Sequence, residues 1–122
     1  MRISVIVATY NRPDALDMVL QSLVCQDDNN FEIVVADDGS RSETAELISA
    51  WQARCAYPLI HVWQEDDGFR LARIRNLATA RASGDYLIYL DGDCIVQPDF
   101  VRRHRALAEP GTMVTGGRIL LE

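Results

Sequence analysis

"YLIYLDGD", residues 86–93, is an apolar run that stops abruptly in two aspartates separated by one glycine. A short run rich in Leu, Ile and Tyr reads as a buried strand. Two carboxylates that close together at a strand end repel each other unless something positive lies between them. The stretch therefore sets two expectations: a strand over Tyr86–Leu90, and a ligand or cation at its carboxyl end. A plain tight turn, where Asp and Gly are also favoured, is the alternative.

Outward from that stretch, strand-like and helix-like patterns alternate. Upstream, Leu71, Ile74, Leu77 and Ala78 mark one face of a helix that Gly84 stops. "YPLIHVWQ" (57–64) reads as a strand, and "EDDGF" (65–69) as a loop. Before it, Leu47, Ile48 and Trp51 lie on a helix ending near Arg54, with Ser40 and Glu43 at capping-box spacing. "FEIVVA" (31–36) and Ile3–Ala8 are two further apolar strands. Between them Pro13 suits a first helical turn, and Leu16, Val19, Leu20, Leu23 and Val24 carry the helix to about Gln26, where "DDNN" breaks it. Downstream, Pro98 to about Glu109 is expected to be helical, and 112–122 strand-like. This alternation favours an α/β fold: a Rossmann-like, mostly parallel sheet with helices on both faces. No repeat or linker divides the 122 residues, which suit one domain. The strand pattern near Glu122 has no closing element after it, so a truncated unit is expected.

Composition excludes several functions. Net charge is -6 with no basic stripe, so nucleic acid is not an expected partner. All twelve cationic residues are arginine, which removes lysine Schiff-base chemistry. Cys25, Cys55 and Cys94 are odd in number and form no C-x-x-C, so neither a disulfide framework nor a zinc site is indicated, and a reducing cytoplasm is the expected setting. Cys94 is expected to be a small buried residue, and His61 and His104 to be structural or solvated rather than catalytic. The apolar run at the N-terminus is too short for a signal peptide or a spanning helix, so no membrane span is expected.

Ligands of open parallel sheets bind beyond the carboxyl ends of the strands. Polar clusters recur there: Thr9-Tyr10-Asn11-Arg12, Asp37-Asp38-Gly39-Ser40, Glu65-Asp66-Asp67-Gly68 and Asp91-Gly92-Asp93. Asp91 and Asp93 suit a hard divalent cation, Mn2+ or Mg2+, which in turn can bind a diphosphate. Asp37 and Asp38 can accept hydrogen bonds from a nucleotide base or ribose, or can form an Asx turn that caps a helix. Arg73 and Arg75 lie about 100° to either side of Ile74, so one of them can face an anion near the helix start. "ATYNRPD" lacks G-x-G-x-x-G and the P-loop, which disfavours NAD, FAD and P-loop chemistry.

Four segments taken together, "ISVIVATYNRPDAL", "EIVVADDGSRSET", "RNLATARASGDYLIYLDGDC" and the "PDF" at 98–100, resemble the N-terminal half of a family 2 inverting glycosyltransferase of the GT-A type. "QEDDGFRLARIRN" further resembles bacterial polysaccharide polymerases and chondroitin-synthase-like enzymes. The resemblance implies that residues 1–122 are the nucleotide-sugar-binding part of a truncated GT-A domain. Its partners would be a nucleotide-diphospho-sugar donor and a saccharide acceptor. Donor contacts are implied at Ala8, Thr9, Tyr10, Asn11, Arg12, Asp37, Asp38, Gly68, Arg75, Asn76, Asp91, Gly92 and Asp93. Asp38 would read the base, Asp93 would be the more direct metal ligand, and Asp91 would face the ribose or donor sugar. The general base of such enzymes follows the D-x-D motif and is expected after Glu122. Two alternatives are a non-catalytic nucleotide- or metal-binding module and a sugar-phosphate nucleotidyltransferase. The second usually carries a glycine-rich loop after its first strand, which "ATYNRPD" lacks.

Overall fold

A computed structural model describes residues 1–108 and 119–120. Four parallel strands, β1 (Ile3–Thr9), β2 (Phe31–Asp37), β3 (Leu59–Trp63) and β4 (Tyr86–Asp91), form a sheet in the order β3-β2-β1-β4. The helices are α1 (Pro13–Val24), α2 (Ser42–Arg54), α3 (Leu71–Arg81) and α4 (Phe100–Leu107). A two-residue strand β5 (Cys94–Ile95) pairs antiparallel with β6 (Ile119–Leu120).

Successive strand side chains point to opposite faces, so each central strand supplies two cores. Val5, Val7, Ile33 and Val35 pack with Leu16, Leu20, Leu23 and Ile48 of α1 and α2, and Val101 of α4 joins them. On the other face Ile6, Val34, Ala36 and Val62 pack with Ile74 and Ala78 of α3. Both faces are covered, which is why β1 and β2 are apolar along nearly their whole length. The chain leaves β1 towards β2 by way of α1. It returns from the β3 edge by way of α3, on the opposite face, to place β4 on the other side of β1. The carboxyl ends of β1 and β4 thus flank a point where strand order reverses, the usual place for a ligand crevice.

One buried charge interrupts the apolar pattern. Glu32 lies opposite Ser4 in the β1–β2 register and is 1% exposed. Its carboxylate accepts from Ser4 Oγ at 2.6 Å, the Ser83 N–H at 2.6 Å and Arg2 Nη2 at 3.3 Å. Burial alone would raise the Glu32 carboxyl, but these three donors outweigh it and hold the group below its ordinary value. The cluster sits at the amino end of the sheet and ties β1, β2 and the turn before β4 together.

Two expectations need correction, and one element is new. The capping box does not form: α2 begins at Ser42 without a side-chain cap, and Ser40 Oγ instead accepts the Asn11 N–H at 2.8 Å. Leu77 is not in the core; it is 38% exposed and lines a surface groove with Trp63 and Arg73. Cys94–Ile95 is a short strand that no local pattern announced. The expected helix to Glu109 and the expected strand over 112–122 fall partly outside the described residues.

Candidate functional site

The carboxyl ends of β1 and β4 enclose a cleft lined by Ala8, Thr9, Tyr10, Arg12, Gly92 and Asp93. Its volume is about 150 Å3. Pockets for whole small-molecule ligands ordinarily hold ~300–1,000 Å3. The cleft is open at the surface and has room for a cation and a phosphate-sized group. Asp91 ends β4 opposite Ala8, so the D-G-D corner is fixed by the parallel register. A Cβ on Gly92 would lie 2.4 Å from the Ala8 carbonyl oxygen and 3.2 Å from Thr9 Cβ. Glycine is required for this close approach of two backbones.

Donor chemistry at the corner fits a divalent cation. One ligand atom from each of Asp91, Asp93 and Cys94 lies within 4.8 Å of the others. The carboxylate oxygens suit Mn2+ or Mg2+. Thr9 Oγ1, in the wall of the same cleft, is buried and has no hydrogen-bond partner among the described residues. A buried hydroxyl left unpaired is costly and rare, so it marks a place where a further polar group belongs. Positive charge is already arranged around the corner. Arg75 Nη2 donates to Asp91 Oδ1 at 2.9 Å. The Arg12 guanidinium is held above its ordinary value chiefly by its hydrogen bonds to Asp14 and by the charge of that carboxylate, with Asp93 adding a smaller part.

Beside the cleft, the end of β2 presents its two aspartates to different partners. Asp37 turns inward: Oδ1 accepts the Ser40 N–H at 2.9 Å, and Oδ2 contacts His61 Nε2 at 2.8 Å. This is the Asx-type turn weighed as the alternative for the pair. Asp38 is 4% exposed, with Oδ1 held by Gln64 Nε2 at 2.6 Å and Oδ2 by the Arg70 N–H at 3.0 Å. Gln64 also donates to the Arg70 carbonyl at 3.1 Å and accepts from Arg73 Nη1 at 2.8 Å.

The loops at this edge are locked to one another. Asn11 adopts φ +48°, a left-handed conformation that Asn tolerates, and its Oδ1 accepts the Arg41 N–H at 2.8 Å. Gly39 has φ +87°, and a Cβ there would lie 2.5 Å from the Asp66 backbone. The Tyr10 hydroxyl donates to Asp66 Oδ2 at 2.8 Å, which raises the phenol above its ordinary value. Loop 65–69 is thereby strapped across the ends of β1 and β2.

The structure thus gathers Ala8, Thr9, Tyr10, Arg12, Arg75, Asp91, Gly92 and Asp93 around one cleft. Asp38 lies next to it, directly after β2, where its N–H donates to the Thr9 carbonyl at 3.1 Å. Asn11 acts as a clamp between loops, and Asp37 is turned away into the protein. Gly68 has φ +74° in the strap loop, and Asn76 is exposed on α3. Sequence reading missed Gln64 and the partnership of His61 with Asp37. Cys94 is buried as expected, yet its sulfur stands beside both carboxylates.

Residues 4–120 match the glycosyl transferase family 2 model. Validoxylamine A glucosyltransferase of Streptomyces hygroscopicus subsp. jinggangensis is 36% identical over 102 residues, covering 82% of this chain and 24% of that protein. Chondroitin synthase of Pasteurella multocida is 35% identical over 108 residues, 88% of this chain and 11% of that protein. Among solved structures, the mannosyltransferase PcManGT from Pyrobaculum calidifontis, in complex with GDP-Man and Mn2+, superposes with a TM-score of 0.79 at 28% identity. It does so over 89% of this chain and 33% of that one. The fold is that of the GT-A enzymes. This chain belongs to glycosyl transferase family 2. It spans a quarter or less of the length of these curated relatives. Among the described residues no helix is long and apolar enough to cross a membrane.

Proposed function

We propose that residues 1–122 are the donor-binding part of an enzyme that transfers a sugar, with inversion, from a nucleotide-diphospho-sugar to a hydroxyl of a saccharide acceptor in the cytoplasm. One observation carries this reading most strongly. Two carboxylates and an unpartnered buried hydroxyl converge on a cleft at the strand-order reversal, flanked by two arginines. Support also comes from the structural neighbour solved with a nucleotide sugar and Mn2+.

Each residue then has a distinct task. Asp38, held rigid at the end of β2, retains a lone pair on each oxygen for a base N–H or a ribose hydroxyl. Arg12 and Arg75 line the path of the diphosphate and attract its charge. Thr9 Oγ1 donates to or accepts from the donor across the cleft. Gly92 keeps the floor of the cleft at backbone height. Asp91 and Asp93 would hold Mn2+ or Mg2+, which when bound neutralises charge on the departing diphosphate. The base that takes the proton from the acceptor hydroxyl is expected beyond Glu122.

The test uses the full-length protein with a panel of nucleotide sugars and Mn2+. Asp93→Asn should lower turnover on the order of 100-fold or more while leaving the melting temperature unchanged. Undiminished turnover in that variant would remove the assignment.

A further inference from the structure

The geometry points to Gln64 as a positioning residue that sets nucleobase selectivity by fixing the Asp38 carboxylate, an inference that rests on the donor-binding reading above. Gln64 follows directly on β3 and is 5% exposed. The register pairs Asp37 with Trp63, so the next residues of the two strands, Asp38 and Gln64, emerge side by side. The Gln64 amide uses both ends. Nε2 donates to Asp38 Oδ1 at 2.6 Å and to the Arg70 carbonyl at 3.1 Å, and Oε1 accepts from Arg73 Nη1 at 2.8 Å. The Arg70 N–H closes the other side of Asp38 at 3.0 Å.

This arrangement has a chemical consequence. A carboxylate on a free side chain rotates and accepts from many donor patterns. Asp38 has one acceptor direction on each oxygen occupied by the protein, so the remaining directions are fixed in space. A base is then accepted or refused by whether its N–H groups meet those directions. A neutral amide is suited to this role: it orients the carboxylate without placing a full charge against it. The orientation of the amide is itself decided by Arg73, since a guanidinium can only donate and therefore selects the oxygen of Gln64. Arg73, on the exposed side of α3, thus acts on Asp38 through Gln64.

The test measures binding of UDP, GDP, CDP, ADP and pyrophosphate to the full-length protein by calorimetry in the presence of Mn2+. Gln64→Glu sets a second carboxylate against Asp38. It should reduce the preference for the favoured nucleotide about ten-fold or more, the size of a charge-assisted hydrogen bond, with pyrophosphate binding changed less than about two-fold. Arg73→Gln, an exposed change that leaves the core untouched, should reduce the preference about three-fold. A preference unchanged in Arg73→Gln would overturn the inference even where Gln64→Glu does not fold. So would a parallel loss of nucleotide and pyrophosphate binding in Gln64→Glu, because that marks a merely structural role. The donor-binding reading fails separately: a wild-type protein that binds no nucleoside diphosphate, or binds all of them no better than pyrophosphate, refutes base reading at Asp38 itself.

Discussion

Replacing Glu32 by leucine tests whether the amino end of the sheet is held by one buried charge. The carboxylate is 1% exposed and accepts two short hydrogen bonds, from Ser4 Oγ and the Ser83 N–H, each 2.6 Å, plus a longer one from Arg2. Hydrogen bonds to charged groups contribute roughly 1.5–3 kcal/mol each. Loss of the two short ones amounts to about 3 kcal/mol at the lower value. Leucine also leaves the Ser83 N–H without its acceptor in a partly buried turn, which adds to the cost, while burial of the apolar side chain offsets part of it. A domain of this size shifts by roughly 3–5 °C per kcal/mol, which predicts a melting temperature lower by about 10–15 °C at neutral pH. The acid limb gives a second readout. The folded carboxyl is held below its ordinary value, so its contribution is complete above the unfolded value near ~4.3 and is lost as pH falls through the folded value. Wild type should therefore lose stability more steeply than Glu32→Gln as pH is lowered below about 4.5. Thermal unfolding followed by circular dichroism from pH 3 to pH 8 checks both. A melting temperature within ~2 °C of wild type, or identical acid limbs, would refute the reasoning.

Further outcomes follow from single contacts. Gly92→Ala would place a carbon 2.4 Å from the Ala8 carbonyl oxygen, so β1 and the D-G-D corner must separate; overpacking of this kind costs about 1–3 kcal/mol, and both the melting temperature and Mn2+ affinity should fall. Arg105 grips Asp28 through Nε and Nη2 at 2.6 and 3.0 Å and also reaches the Asn30 and Met1 carbonyls. Arg105→Ala should therefore release α4 and cost about 2 kcal/mol in denaturant unfolding. Because Arg105 first, among several causes, holds the Asp28 carboxyl low, the Arg105→Ala penalty should shrink as pH falls below about 4 and Asp28 takes up its proton. Burial holds the His104 imidazole below its ordinary value; the native state thus favours the neutral ring, and His104→Phe should flatten the loss of stability as pH falls through about 6.5.

The fold was legible because a parallel strand buried on both faces reads as an unbroken apolar run, as at Ile3–Ala8 and Phe31–Ala36. The same rule made Glu32 an anomaly whose partners only the register could supply, since Ser4 and Ser83 lie 28 and 51 positions away. The strand β5 had no local signal; two residues pair with a segment more than twenty positions on. Leu77 kept helical spacing with Ile74 and Ala78 but fell at the margin of the apolar stripe, where spacing alone does not separate core from groove. At the cleft, Asp91-Gly92-Asp93 stood out because two carboxylates so close together at a strand end repel each other unless something positive lies between them. Gln64 carried no such signal. A neutral amide after a strand is unremarkable until the β2–β3 register sets it against Asp38. Ser40 was misread for the complementary reason: its spacing to Glu43 was right for a cap, but the left-handed Asn11 brings another N–H to the hydroxyl first.

Cation binding at the D-G-D corner is the claim on which the functional reading turns, and Mn2+ titration followed by electron paramagnetic resonance addresses it directly. With UDP or GDP present, wild-type protein should remove free Mn2+ signal with one site per chain. Asp93→Asn, equally folded, should weaken that site at least ten-fold. Equal Mn2+ uptake by wild type and Asp93→Asn, or none by wild type in the presence of either nucleotide, would contradict it.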